Sequence, residues 1–126
     1  MYVPKTPGDF PLLTLSGASA SGDTFTNPAV ATGLPLDMSD FVSGVAVLNV
    51  TAISCGSAGI TVSICTYDPI AGAWVKVASF AQQSAIGVAV LQLPPGLMPN
   101  NIAVSYAIAG TTPSVSCDVF ISAKRR

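Results

Sequence analysis

The sequence predicts an all-β protein, an antiparallel β-sandwich of jelly-roll type with a less regular N-terminal segment. Three observations lead there. Several segments alternate apolar and polar side chains with a period of two, the repeat of a half-buried strand. Clusters of Gly, Pro, Asp and Ser separate them at short intervals. No stretch of ten or more residues carries a 3.6-residue period, so no long helix is expected.

Taken in order, residues 1–44 are the least regular. Phe10–Leu15 and Asp23–Thr26 are candidate strands, and Asp37–Phe41 is a candidate for one helical turn. Pro4, Pro7, Pro11, Pro28 and Pro35 exclude long helices here, because each removes a backbone donor. Val45–Ile53 (VAVLNVTAI) is apolar on nearly both faces, as a central strand is. Cys55–Gly59 (CGSAG) is turn chemistry. Ile60–Thr66 places Ile60, Val62 and Ile64 on one face and Thr61, Ser63 and Cys65 on the other. Asp68-Pro69-Ile70-Ala71-Gly72 is a turn, and Trp74–Phe80 returns, so 60–80 is a β-hairpin. Val88–Leu93 is the next strand, stopped by Pro94-Pro95-Gly96. Ile102–Ile108 sets Ile102, Val104, Tyr106 and Ile108 against Ala103, Ser105 and Ala107. After the turn Gly110–Pro113, Val115–Ala123 faces Val115, Cys117, Val119 and Ile121 inward, with Ser116, Asp118, Phe120 and Ser122 outward. The chain is read as a single domain with two parts: residues 1–44, an N-terminal arm and first short strands, and residues 45–126, the main sandwich.

Composition narrows the function. Eleven of 126 residues are charged, or 9%, against about 25% in an ordinary soluble domain. The exterior must instead be built from 24 Ser and Thr, 17 Ala and 11 Gly. Few charges need to be stripped of water when a partner covers such a surface. A subunit of an assembly is therefore expected, not a free enzyme. His and Glu are absent, which removes the usual proton shuttle and every Ser–His–Asp or Cys–His arrangement. Asp37 and Asp40 are the closest pair of acids, and their spacing reads as helix capping.

Three cysteines, Cys55, Cys65 and Cys117, fit a disulfide framework poorly. They read as small apolar fillers made in a reducing cytoplasm. No metal-ligand spacing, phosphate loop or calcium loop is present, so no metal, cofactor or catalytic residue is assigned. The net charge of −1 does not steer the chain to nucleic acid or anionic lipid. The basic residues Lys124-Arg125-Arg126 read as a solvated tail. Pro11–Leu15 followed by Ala18-Ser19-Ala20 outlines a signal peptide, but the apolar run is too short and prolines precede it. Even Gly87–Leu91 falls far below the ~20 residues of a spanning helix. Asn49-Val50-Thr51 matches a glycosylation acceptor but lies mid-strand, out of reach once folded.

Surface aromatics supply the candidate contacts. Phe120 lies on the polar face of the last strand and so offers itself to a neighbour. Tyr2, Phe10, Leu12 and Leu13 are candidate contacts in the N-terminal arm. The small outward residues Ala103, Ser105 and Ala107 would let a second sheet approach closely. Tyr67 and Trp74 flank one hairpin loop and are a possible sugar platform, with the competing reading that Trp74 caps the sandwich edge.

Finally, the apolar strand Val45–Ile53, the segment Thr61-Val62-Ser63-Ile64, Trp74 with Val77-Ala78 and Phe80, and Gly110-Thr111-Thr112-Pro113-Ser114-Val115-Ser116 resemble small structural proteins encoded near the capsid genes of tailed bacteriophages. The head decoration, or cement, proteins are the most similar. The resemblance covers about residues 45–123. It implies a jelly-roll-like fold, binding to the outside of the shell of major capsid protein, self-association as a dimer or trimer, and a place on the virion exterior. No small-molecule substrate, nucleic acid or membrane is expected as a partner. A tail or head–tail component, or a carbohydrate-binding module, is the alternative.

Overall fold

The structure, a computed structural model, describes residues 9–24, 36–37, 41–56, 58–68, 70–96 and 101–125. They form two antiparallel sheets. The strands are β1 (Asp9–Ala18), β2 (Gly22–Asp23), β3 (Leu36–Asp37), β4 (Phe41–Ser54), β5 (Ile60–Asp68), β6 (Ala73–Ser79), β7 (Gly87–Leu93), β8 (Asn101–Ile108) and β9 (Ser114–Arg125). One sheet has the order β1-β9-β4-β7. The other has β2-β8-β5-β6, with the short β3 also on β8.

Setting β3 aside, the pairing is that of one long hairpin rolled up. Phe10 pairs with Ile121, Gly22 with Tyr106, Val47 with Val90 and Tyr67 with Trp74. The first strand thus pairs with the last, the second with the second-last, and so inward to the turn between β5 and β6. Rolling this hairpin also brings β4 beside β9 and β5 beside β8. That is the eight-stranded jelly roll. The tip is built by Asp68: its carboxylate accepts from the Ile70 and Ala71 amides at 2.9 and 3.3 Å, and its carbonyl accepts from Gly72 N–H at 2.8 Å. Gly72 takes φ +67°, which a side chain would resist.

The core lies between the sheets. Leu13, Leu15, Ala46, Leu48, Val50, Val115, Cys117, Val119 and Ile121 come from one sheet; Ile60, Val62, Ile64, Ile102, Val104 and Tyr106 come from the other. Each large aliphatic side chain buried this way contributes about 1.5–3 kcal/mol. The central position of β4 and the inward faces of β5, β8 and β9 follow from the alternation in the sequence.

One candidate strand is longer than expected, and two expectations are corrected. Phe10–Leu15 is part of β1, an outer strand of the first sheet held to β9 along nearly its whole length. Leu12 and Leu13 are 1% and 0% exposed, so they are core and not contacts. The register explains both. Leu13 stands beside Val119 on the inward face, and Leu12 is the extra residue of a bulge between Pro11 and Leu13 that turns it inward too. Of the candidate turn Asp37–Phe41, Asp37 pairs with β8 as part of Leu36–Asp37 and Phe41 opens β4, four residues before Val45, because the ladder with β9 continues to Arg125, while residues 38–40, Asp40 among them, lie outside the described residues. Ala103 is not an open seat for another sheet. It stands beside Cys65, and both are buried, as is Ser63, whose hydroxyl lies 2.8 Å from that of Ser79.

Tyr106 is a buried aromatic whose ring lies over Gly22 in the neighbouring strand, where a Cβ would come within 2.8 Å of its hydroxyl. That hydroxyl has no hydrogen-bond partner among the described residues. Burial, then the nearby Asp23 and Cys117, raises its pKa above the ordinary tyrosine value. Replacing Tyr106 by phenylalanine keeps the ring and removes the unpaired oxygen. The expected result is unchanged stability or a gain of up to about 1 kcal/mol, read by denaturant unfolding. A loss above that would show that the hydroxyl is bonded.

Candidate surface on the outer face of the first sheet

Because cross-strand neighbours share a face, the register of the first sheet fixes what its outer surface displays. Pro11 stands beside Phe120, Phe120 beside Val47, and Val47 beside Val90. These residues form one apolar row across all four strands. At about 4.8 Å per strand the row is about 14 Å long. Phe120 is 39% exposed and Val90 58%. Val47 is half-buried and stands between them in register.

Polar rows border this one. On one side run Thr14, Asp118, Asn49 and Val88; on the other, Ser122, Val45 and Gln92. Val88 is 64% exposed and extends the apolar surface along β7 toward Ile86, which is 70% exposed. Asp118 is the one charged side chain described in these rows, and Asp9 stands beside Ser122 in backbone register at the end of the second row. The apolar centre and polar margin match the anatomy of a protein-binding patch.

At the end of the same face an open groove of about 400 Å³ crosses β9, β4 and β7. Ser43, Gln92, Ser122 and Lys124 give it polar walls, and Pro94 and Pro95 close one side. Among the described residues Lys124 is its one ionisable lining residue. Such a groove hydrogen-bonds a partner's backbone or carboxylate but carries no acid–base pair. Among the described residues no three Asp or Cys side chains gather as metal ligands.

The cysteines behave as fillers. Cys55, Cys65 and Cys117 are free and buried. Burial, assisted by Asp118, pushes the Cys117 thiol up to about 11, so it is a neutral thiol at neutral pH and a poor nucleophile. Tyr67 and Trp74 meet edge to face, with ring centroids 5.5 Å apart and planes at 64°. Rings so inclined do not present the flat joint surface on which a sugar stacks.

Of the residues singled out in the sequence, Phe120 is placed in the middle of this surface. Leu12 and Leu13 lie beneath the sheet. Phe10 sits on β1 beside Ile121 in backbone register, and Tyr2 falls outside the described residues. Pro11, Val47, Val88 and Val90 were missed. The alternation of Val88, Val90 and Gln92 marks one face of a strand, but only the register shows that this face aligns with Phe120.

Compared with known proteins, the chain matches no family model, no curated protein and no solved structure.

Proposed function

We propose that this chain is a virion structural protein, a capsid decoration or cement subunit that binds an assembled shell of major capsid protein from outside. The observation that carries the reading is the apolar row Pro11–Phe120–Val47–Val90 on an exterior with few charges. Covering it releases water from aliphatic and aromatic surface and strips few charges, with Asp118 in one flanking row and Asp9 in backbone register at the end of the other. A jelly roll offers this surface as a rigid, pre-formed plate, so little ordering entropy is lost on docking.

Stabilisation follows from mass action. A protein that binds the assembled lattice and not the free subunit shifts the equilibrium toward the lattice. Many copies, each contributing a modest interface, act together on one shell. Self-association as a dimer or trimer would let one particle bridge neighbouring capsid subunits.

Co-sedimentation with expanded capsid shells of a tailed phage, set beside unassembled capsid subunits, tests this. Retention on shells alone is expected. Replacing Phe120 by serine should weaken retention about tenfold or more, the effect of losing a central aromatic contact, with stability changed by less than about 1 kcal/mol. No retention at any copy number overturns the reading, and retention on tails or head–tail connectors instead moves the protein to that part of the virion.

A further inference from the structure

We propose that β7 is a self-pairing edge, through which two copies of this chain join their first sheets into one continuous sheet. A free strand edge displays unpaired N–H and C=O groups, and proteins guard such edges with charges, prolines, bulges, short strands or cover. The other edges here are guarded. β1 carries Pro11 and two irregularities, one between Pro11 and Leu13 and one between Leu15 and Ala18. β6 carries Lys76 and a register shift against β5. The outer edge of β8 is met by β2 and β3, and two of its amides are closed by side-chain oxygens: Val104 N–H donates to Thr24 Oγ1 and Ile108 N–H to Ser21 Oγ, both at 2.9 Å.

Among the described residues β7 has none of these devices. Its seven residues, GVAVLQL, contain no charge and no proline. They pair with β4 in unbroken register from Gly87 against Val50 to Leu93 against Gly44. Among the described residues β7 has β4 as its one neighbour in the sheet. Its outward valines, Val88 and Val90, are more than half exposed.

The occupant that fits is a second β7. No charge lies between Ser84 and Gly96, so a charged strand would find no counter-charge, while two copies meet without like-charge repulsion. The strand is also self-complementary about a two-fold axis normal to the sheet. Full overlap sets Gly87 against Leu93 and Val88 against Gln92, and places Val90 beside Val90 of the partner subunit. This axis keeps the outer faces of both copies on one side. Two four-stranded sheets become one of eight, within the size open sheets reach. The apolar row grows from about 14 Å to about 34 Å. The pairing extends the self-association in the proposed function, yet it needs no capsid, so the two fail separately.

Sedimentation equilibrium of the purified chain across about 1 µM to 1 mM, a span that covers millimolar to micromolar association, is the test. Dimer mass at the upper end is expected for the natural sequence. Val90→Lys and Val90→Glu should each remain monomeric because like charges face each other across the axis. Mixing the two in equal amounts should restore the dimer. Val88→Lys should weaken it, and Ile70→Lys, in the exposed β5–β6 turn, should not. Circular dichroism confirms that each variant keeps its sheets. A natural sequence that stays monomeric to the highest concentration overturns the proposal, as does folded Val90→Lys that dimerises like the parent. Shell binding in the co-sedimentation assay is read independently of either result.

Discussion

Replacing Leu13 by alanine is expected to destabilise the protein by about 2–5 kcal/mol, the range for deleting a fully buried leucine side chain. Leu13 is 0% exposed and stands beside Val119, between the sheets. Alanine would remove three methylene-sized groups and leave a void that a rolled-up hairpin closes poorly, because β1 is fixed to β9 on its other side. Proteins of this size have about 5–15 kcal/mol of stability in all, so the loss should lower the thermal midpoint by roughly 10 °C or more. Thr14→Ala, one residue on and facing out, should shift it by less than about 0.5 kcal/mol. Denaturant unfolding monitored through Trp74 fluorescence separates the cases. If Leu13→Ala unfolds with the same midpoint as the parent, β1 is dispensable to the core and behaves as a detachable arm after all.

Gly59→Ala should be equally damaging for a different reason. The segment before β5 passes so close to residues 83–84 that a Cβ on Gly59 would stand 1.9 Å from the Gln83 carbonyl oxygen. The neighbour is backbone and cannot rotate away. It is also held, since Ile60 and Gln83 exchange two backbone hydrogen bonds of 3.0 and 2.8 Å, and Ala109 N–H donates to the Gly59 carbonyl at 3.0 Å. Relieving the clash means parting these bonds, at about 1 kcal/mol each, beyond an overpacking cost of about 1–3 kcal/mol. A loss of about 3 kcal/mol or more is expected in urea unfolding. Gly96→Ala, with open space around it and no unusual φ, should be nearly neutral. Equal midpoints for the two variants would show that the chain does not pass this closely at residue 59.

These effects also show which parts of the fold were legible in the sequence. The strands Ile60–Thr66, Ile102–Ile108 and Val115–Ala123 alternate, and their inward residues lie in or against the core, although Ser63, Cys65 and Ala103 on the other face are buried too. The turn at 68–72 is written in Asp68 and Gly72 themselves. Residues 9–18 were harder to read. Pro11 and Gly17 hide how far the candidate strand Phe10–Leu15 extends, because they sit at or beside the irregularities of an outer strand, where proline and glycine are tolerated. Leu12 and Leu13, expected as contacts of the N-terminal segment, are consecutive and so break a period of two. A bulge admits both to the interior.

The sequence by itself determined the all-β class, the inward faces of the strands at 60–66, 102–108 and 115–123, the scarcity of charge and the outward placement of Phe120. Each of these is a local property, set by side-chain period or composition within a few residues. Tertiary structure alone decided that Pro11, Phe120, Val47 and Val90 form one row, and that β7 is the edge left unguarded among the described strands. Both depend on register and strand order. Those are fixed by contacts between residues up to about a hundred positions apart, since a strand's own pattern states which face is buried but not which strand lies beside it.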